Sequence, residues 1–284
     1  MRSMGTSAGW VEIGDGFLVR RYRFYDQNIG LVLGRGEALV IDTRSTYVQG
    51  REILDDVREV TRDPVTVVID THGHFDHAFG NHVFRPATIW GQAGCVPFLE
   101  RTGPARRARI ADENPELAGD LDEVVIDAPD QTFDRHATIE VGGRPVELHY
   151  LGRGHTDHDA VITVPGTNVV WAGDLVENGA VPYFGDAYPI DWEATSAALA
   201  RMVDPDRGVI VPGHGDHAGR AFADAQAAGF AGIVERARRI HAGELDLDGA
   251  VDDYPFPTHD HDHPLRPLER AIAQLDGQLD VGTT

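Results

Sequence analysis

The sequence predicts an α/β fold of four layers, in which two mixed β-sheets pack together and are flanked by helices. The chain has two β-rich halves, each followed by helical segments, and sheets enclosed by helices bury the apolar faces of both. Its 284 residues, 42% of them hydrophobic, can fill one large core. Several predicted strands lead directly into histidine or aspartate. We therefore expect a single domain over 1–284, with 245–284 as a tail and terminal helix.

The first half alternates strands and helices. Its predicted strands cover 17–24, 30–33, 37–42, 65–70 and 88–90. The segment Gly34-Arg35-Gly36 is a typical hairpin turn between the second and third of these strands. Apolar residues at helical spacing predict an amphipathic helix over 46–62. A second helix is expected over 94–101, followed by an irregular helical connection over 106–122.

The second half repeats this pattern without a literal sequence repeat. Its predicted strands cover 138–141, 144–151, 160–164, 168–171 and 208–211. Helices are expected over 192–203 and 219–241, and a terminal helix over 265–279. Strands followed by helices in both halves favour layered sheets over a helical bundle.

The charge of the chain restricts its partners. The formal net charge is -21, and all 25 basic residues are arginine, because the sequence contains no lysine. Such an excess of negative charge repels phosphate backbones and acidic membrane surfaces. We therefore expect a small-molecule substrate and neither nucleic acid nor membrane as a partner.

Cysteine content and hydropathy indicate the compartment. The one cysteine, Cys95, cannot form an intramolecular disulfide and is expected to be a small buried hydrophobe. The segment Met1–Ser7 lacks the apolar stretch of an export signal, and no run approaches the ~20 apolar residues of a bilayer span. These features predict a cytoplasmic protein.

The most informative segment is Thr71-His72-Gly73-His74-Phe75-Asp76-His77, directly after the predicted strand over 65–70. Imidazole nitrogen and carboxylate oxygen are the donors that zinc and similar divalent ions accept. Burying this cluster without a metal ion would leave polar groups unsatisfied, at roughly 1–3 kcal/mol each. The segment therefore predicts half of a metal site.

Three later residues complement this half. His155, Asp174 and His214 each follow a predicted strand and have a glycine beside them, which permits tight turns and close backbone approach. Because these strands are expected to belong to the same layered sheets, we expect the three side chains to join the first cluster.

The order H-x-H-x-D-H, a glycine-flanked histidine, Gly-Asp and Pro-Gly-His resembles the metallo-β-lactamase superfamily of hydrolases over roughly 30–219. The resemblance implies that His72, His74 and His155 bind a first metal ion. It assigns Asp76, His77 and His214 to a second ion and Asp174 to a bridge between the two. An aspartate at 174 replaces the cysteine of one lactamase subclass and is similar to the thioesterase and lactonase branches.

The activity implied by this resemblance is hydrolysis of an ester, thioester or lactone, with β-lactam cleavage as a weak side activity. Two Zn²⁺ ions, or iron or manganese in their place, would share a bridging hydroxide as the nucleophile. Asp76 and Asp174 are the predicted catalytic residues. Asp76 would orient the attacking water, and Asp174 would hold the ions together.

Two other functions are compatible with the same residues. A persulfide dioxygenase-like enzyme would use His72, His155 and Asp174 as a two-histidine, one-carboxylate site for a single iron. A structural or sensory metal site is the other alternative, but such sites favour several cysteines, and this motif set has none.

Further residues are candidates for supporting roles. Asp42, at the end of a predicted strand, either holds a ligand imidazole through its other nitrogen or forms a turn. Asp157 and His158 are expected to cap the turn after His155.

The aromatic loop over 177–189 carries Asn178, Tyr183 and Tyr188, which either line the pocket or pack on the scaffold. The histidine-rich stretch over 258–264 is expected to be an extended loop, with closure over the site as the alternative.

Overall fold

The computed structural model describes residues 9–247, 249–251, 254–256 and 265–279. These residues divide into two compact units. Unit 1 comprises the described residues up to Tyr150 together with Ala160–Val169. Unit 2 comprises Leu151–Asp159 and the described residues from Val170 onward.

Unit 1 contains a mixed set of seven strands and a separate antiparallel set of three. The seven are β1 (Val11–Gly14), β2 (Phe17–Tyr22), β3 (Gln27–Leu33), β4 (Ala38–Ile41), β5 (Val65–Ile69), β6 (Thr88–Gln92) and β7 (Gln131–Phe133). Strands β1 to β4 pair antiparallel, and β4 to β7 pair parallel. The three are β8 (His136–Val141), β9 (Arg144–His149) and β10 (Val161–Thr163), with β9 in the middle.

Four helices cover the strands of unit 1. They are α1 (Tyr47–Val60), α2 (Phe75–Ala78), α3 (Cys95–Glu113) and α4 (Ala118–Asp122). Thr46 begins α1 by accepting a hydrogen bond from the backbone N–H of Gln49 at 3.3 Å. Ile53 and Val57 of α1 belong to the same buried cluster as Val40 of β4. As predicted, Cys95 is buried, and it packs in a second cluster around α3.

Unit 2 is built on two strands and three helices. They are β11 (Val169–Asn178), α5 (Pro189–Met202), β12 (Val209–Gly215), α6 (Arg220–His241) and α7 (Leu265–Leu275). The rings of Trp192 in α5 and Phe230 in α6 stack with centroids 4.4 Å apart. Gln274 of α7 donates a hydrogen bond to Asp191 Oδ2 at 3.0 Å, which ties α7 to the start of α5.

Several element boundaries differ from the predictions. Helix α3 continues to Glu113 through Pro104, where a short helix and an irregular connection were expected. Buried Phe98 and Ile110 lie on this helix, and their packing outweighs the cost of an interior proline. Strand β11 continues to Asn178 because Leu175 and Val176 are buried and extend the apolar run beyond Gly173.

Two short strands were missed because each lacks a clear alternating pattern. They are β1 and β7, which lie at the margins of the seven-strand set. The terminal helix α7 ends at Leu275, four residues before the predicted end. Within the described ranges, no helix has both the length and the apolar character needed to cross a bilayer.

Candidate metal-binding site

Unit 1 gathers the four predicted ligands of the histidine cluster into one buried group. His72, His74, Asp76 and His77 are each at most 7% exposed; the first two lie in the loop between β5 and the short helix α2, and the last two lie in α2. The ring of His72 has its centroid 4.6 Å from that of His74 and 4.1 Å from that of His77. His77 Nε2 lies 3.4 Å from Asp76 Oδ2. The donor atoms of this half-site therefore point toward common positions.

Asp42 fixes the orientation of this cluster. It follows β4 with a positive φ of 66°, a conformation that a non-glycine residue adopts only where its surroundings enforce it. Its carboxylate accepts hydrogen bonds from the Thr71 backbone N–H at 2.8 Å and the Thr71 hydroxyl at 3.0 Å, and His77 Nδ1 lies 2.9 Å from Asp42 Oδ2. Donation from Nδ1 gives His77 Nε2 the lone pair that a metal ion requires. Burial raises the pKa of Asp42, and the His77 contact opposes that rise.

A second buried carboxyl group lies behind the cluster. Asn81 donates to Asp70 Oδ2 at 2.7 Å and accepts from the Thr43 hydroxyl at 2.8 Å. Burial raises the pKa of Asp70 well above its usual range, and the Asn81 hydrogen bond opposes this effect. Neither Asp70 nor Asn81 was predicted as a site residue, because neither belongs to a recognisable metal-ligand spacing.

Close backbone packing holds the end of α2 in place. The Thr43 backbone N–H donates to the His77 carbonyl at 2.7 Å, and Gln27 donates its side-chain amide to the Asp76 carbonyl. A Cβ on Gly80 would lie 2.0 Å from the Thr43 carbonyl oxygen. Only glycine allows this approach, so the position of the ligands depends on a residue that binds no metal.

Unit 2 brings the other three predicted ligands together around one carboxylate. Asp174 Oδ2 lies 3.5 Å from His155 Nε2 and 3.4 Å from His214 Nε2. His155 is 1% and Asp174 6% exposed, and the side chain of His214 is 14% exposed. Two imidazole nitrogens, which come from two separate segments, therefore lie at similar distances from the same aspartate oxygen.

Asp174 and His214 lie inside strands, and the prediction that they follow strand ends was wrong. Asp174 is in the middle of β11, and His214 is near the end of β12. Gly173 has a positive φ of 53°, which lets the backbone change direction at the ligand without ending the strand. Gly215 also has a positive φ, of 87°, and a Cβ there would lie 1.5 Å from the Asn178 carbonyl oxygen.

Asp159 closes the turn that carries His155. Its carboxylate accepts from the Thr156 backbone N–H at 2.8 Å and from the Thr156 hydroxyl at 2.7 Å. Asp157 and His158 were predicted to cap this turn, but their side chains instead contact each other, with 2.6 Å between Asp157 Oδ1 and His158 Nδ1. Burial raises the pKa of Asp159 to about 7. The spacing Thr-x-x-Asp is the signal that could have identified Asp159.

The aromatic loop divides between the two expected roles. Tyr183 is 39% exposed, and its ring centroid lies 6.1 Å from that of His155. Phe184 is buried and packs against Trp192, with ring centroids 5.5 Å apart. Tyr188 is also buried, with its hydroxyl 3.5 Å from Asp157 Oδ2 and a pKa raised to about 12 by burial. The predicted histidine-rich stretch over 258–264 lies outside the described residues.

A cavity of about 360 Å³ opens in unit 2 at the end of β11. Its lining includes Glu177, Asn178, Pro182, Phe222 and Phe256. Asn178, predicted as a pocket residue, therefore faces this cavity and also donates to the His217 carbonyl at 3.3 Å.

The donor chemistry of both units fits a divalent ion. Each unit contributes histidine and aspartate side chains to groups that could hold a metal ion. In a tetrahedral site with bonds of about 2.0–2.1 Å, neighbouring donors lie roughly 3.3–3.4 Å apart. The nitrogen-to-oxygen distances are 3.4 Å in unit 1 and 3.4 and 3.5 Å in unit 2. These distances exceed the usual range for N–H···O hydrogen bonds and match donors around a shared ion.

Comparison with known proteins identifies relatives. A family model described as the metallo-beta-lactamase superfamily matches residues 22–214. A protein named metallo-beta-lactamase type 2 from Bacteroides fragilis is 24% identical over 192 residues, covering 66% of this chain and 69% of the relative. A protein of the same name from Bacillus cereus is 26% identical over 193 residues, covering 66% of each chain.

Solved structures share the fold. A metallo-beta-lactamase from Pontibacter korlensis aligns with a TM-score of 0.62 and 20% identity, covering 78% of this chain and 98% of that one. The stereoselective inverting sec-alkylsulfatase Pisa1 from Pseudomonas sp. aligns with a TM-score of 0.76 and 16% identity, covering 94% of this chain and 50% of that one. This chain thus spans about half the length of the sulfatase. The matches confirm the predicted fold of mixed β-sheets with flanking helices.

Proposed function

Because the chain belongs to the metallo-beta-lactamase superfamily, whose members are generally hydrolytic metalloenzymes, we propose that it is a dinuclear zinc hydrolase acting on a small ester, thioester or lactone. In this proposal, as the family resemblance implies, His72, His74 and His155 would hold the first ion, Asp76, His77 and His214 would hold the second, and Asp174 would serve both.

The observation that carries this proposal is the position of the Asp174 carboxylate. Its Oδ2 lies at nearly equal distance from the Nε2 atoms of His155 and His214, which the proposal assigns to different ions. A carboxylate shared by two cations reduces their mutual repulsion. An aspartate in this place therefore supports two ions rather than one.

The remaining residues act on the substrate and its water through position and charge. When bound, two divalent ions lower the pKa of a water molecule and stabilise negative charge that develops on the substrate. Asp76 accepts a hydrogen bond from the attacking water and orients it. Asp42 keeps His77 in one tautomer, and the exposed Tyr183 lies close enough to His155 to contact a substrate group at the entrance.

Metal analysis tests the dinuclear assignment. Protein prepared with excess zinc and then desalted is expected to retain at least about two equivalents, and Asp174→Ala fewer. Glu235→Ala on the exposed surface of α6 serves as the control and is expected to match the unmodified protein. One bound iron together with oxygen consumption on a persulfide would instead support the dioxygenase alternative.

A substrate panel tests the reaction class. The panel contains a thioester, a lactone, an aryl ester and a chromogenic cephalosporin, and a secondary alkyl sulfate because sulfatases share the fold. We expect the highest kcat/KM among the three carbonyl esters and weak turnover of the cephalosporin. Faster cleavage of the sulfate would contradict the proposed substrate class while leaving the metal site intact. The cytoplasmic location and the exclusion of nucleic acid and membrane partners stay predictions from composition.

A further inference from the structure

A second group of histidine and carboxylate side chains lies on the three-stranded set of unit 1. His136 is on β8, and Glu147 and His149 are on β9. Ile139, Val146 and Leu148 are buried on the opposite face of these strands. Alternation along a strand therefore directs the polar side chains to the outer face together.

The register places the two imidazoles directly opposite each other. His136 and His149 are cross-strand partners, and the neighbouring Tyr150 N–H donates to the Arg135 carbonyl at 2.8 Å. Because hydrogen-bonded and non-hydrogen-bonded pairs alternate along an antiparallel ladder, His136 and His149 form a non-hydrogen-bonded pair. Side chains approach most closely in such pairs. The ring centroids are accordingly 4.9 Å apart.

Glu147 completes a set of three donors. His136, Glu147 and His149 each offer one ligand atom, and these atoms all lie within 4.8 Å of one another. Glu147 Oε2 lies 3.6 Å from His149 Nε2. From β10, the Thr163 hydroxyl donates to Glu147 Oε2 at 3.3 Å and lies 3.1 Å from His149 Nε2. Thr163 thus keeps the Glu147 and His149 side chains close together on this face.

Electrostatics favour a cation here. The Glu147 carboxylate, with its Oε2 3.6 Å from His149 Nε2, attracts a cation to the two imidazoles. The net charge of -21 also raises the local concentration of cations around the chain.

We propose that His136, Glu147 and His149 form an additional binding site for one divalent transition-metal ion of the zinc class. Two imidazoles and one carboxylate suit Zn²⁺, Ni²⁺ or Cu²⁺ rather than Mg²⁺ or Ca²⁺, which prefer oxygen ligands alone. Three protein donors leave one tetrahedral position for water. An ion here links β8 to β9 and stabilises the three-stranded set. The site does not depend on the proposed hydrolase function.

Equilibrium dialysis of the full chain against Zn²⁺ tests the site. The main variant is His136→Asn, because His136 is exposed and a solvent-facing strand position accepts asparagine. We expect His136→Asn to bind one equivalent less than the unmodified protein. His241→Asn, on an exposed histidine of α6, is the matched control and is expected to bind the full number. Equal numbers for the unmodified protein and His136→Asn would overturn the proposal.

Cu²⁺ provides a second readout that does not depend on counting. Electron paramagnetic resonance of the added ion is expected to contain a component with nitrogen coupling from two imidazoles that changes to coupling from one in His136→Asn, whereas Cu²⁺ held by the proposed catalytic histidines gives the same signal in both proteins. Glu147→Gln is expected to weaken Cu²⁺ binding at least tenfold, whereas Glu140→Gln on the same face of β8 leaves it unchanged. If both variants weakened Cu²⁺ binding equally, the cause would be the general loss of surface charge, and the proposed site would be overturned.

Activity separates this site from the proposed catalytic one. Hydrolysis by His136→Asn is expected to equal that of the unmodified protein, because His136 is absent from the proposed catalytic machinery. If the catalytic centre holds fewer than two ions, the number of bound ions falls in both the unmodified protein and His136→Asn, but the two proteins still differ by one ion. A loss of the difference overturns the additional site alone.

Discussion

The two units prepare their predicted ligands by a common device and then diverge. In each, a buried aspartate accepts two hydrogen bonds from a threonine that directly adjoins a ligand histidine. Asp42 binds Thr71 beside His72, and Asp159 binds Thr156 beside His155. Only Asp42 also contacts a ligand itself, through His77 Nδ1. Unit 1 thus orients the ligands that follow β5 by hydrogen bonds to the side chain of Asp42, which follows β4.

Unit 2 relies on its backbone instead. Its ligands come from three separate segments, two of them strands, and Asp174 lies between the other two ligands. Glycines at 173 and 215 shape β11 and β12 beside Asp174 and His214. A half-site made of neighbouring residues needs hydrogen bonds to spread its side chains, whereas one made of distant residues needs exact strand geometry. The two should therefore fail under different substitutions.

Removal of the central carboxylate of unit 2 should have the largest effect. We expect Asp174→Ala to lower kcat/KM about 10³-fold, since loss of one partner from a buried charged group costs roughly 3–5 kcal/mol. Steady-state kinetics on the best substrate of the panel, with Glu235→Ala as the control, measures this. Turnover within a few-fold of the unmodified protein would remove Asp174 from the catalytic centre.

The glycine of unit 2 should be less replaceable than that of unit 1. Gly215→Ala combines a positive φ with overlap on Asn178 and is expected to reduce the free energy of unfolding by roughly 2–4 kcal/mol. Gly80→Ala has an ordinary φ and only the overlap with Thr43, so roughly 1–3 kcal/mol is expected. Denaturant titration of both variants measures the difference.

Two control glycines separate the cost of backbone strain from the cost of steric overlap. Gly36 has a positive φ of 79° but open space around its Cβ position, so Gly36→Ala isolates the backbone strain. Gly119 lies in α4 with open space and no positive φ, and Gly119→Ala should be neutral or stabilising. If Gly80→Ala proved more damaging than Gly215→Ala, strand geometry would not be the more sensitive of the two devices.

Substitutions of the two aspartates that accept hydrogen bonds from these threonines should also differ in their effect on metal affinity. Asp42→Asn is expected to lower metal affinity about 10–100-fold, because Asp42 sets the tautomer of a ligand imidazole. Asp159→Asn should lower it by a smaller factor, since Asp159 holds only the turn. Competition with a chromogenic chelator measures both, with exposed Asp63→Asn as the control. Equal losses would show that the shared threonine contact, and not the His77 contact, matters.

The same contrast explains what the sequence could predict. The cluster from His72 to His77 was recognisable because its donors are contiguous, and the family resemblance rested on it together with the motifs around His155, Asp174 and His214. The full lengths of β11 and β12 were not recognisable. In β11, the glycine before Asp174 resembles a turn residue, and the apolar residues after Asp174 were not joined to the strand before it. Asp159 was overlooked because the Thr-x-x-Asp spacing of Thr156 and Asp159 was not considered as a turn-capping pattern.

A pH experiment gives the smallest expected effect and tests a part of unit 1 remote in sequence from the ligand cluster. Hydrogen bonds from Arg85, at 2.6 and 2.9 Å, hold the pKa of Asp127 below its usual range. A carboxyl group with a lowered folded-state pKa stabilises the fold above its unfolded value of about 3.9, and this stability is lost as the pH falls through the folded value. The partly exposed ion pair limits the effect to about 1 kcal/mol or less.

Asp127→Asn should therefore flatten the acid side of the stability profile. Denaturant titrations from neutral pH downward should show the unmodified protein losing more stability than Asp127→Asn below pH ~4. Asp63→Asn is the control and should leave the stability profile of the unmodified protein unchanged. Asp63 is exposed, whereas Asp127 is the carboxylate that accepts from Arg85. Parallel curves for the unmodified protein and Asp127→Asn would mean that the acid sensitivity of the fold lies in other carboxylates with a lowered pKa, and Glu37, whose pKa is lowered by hydrogen bonds from Thr66 and the Gly142 backbone N–H, is the next to substitute.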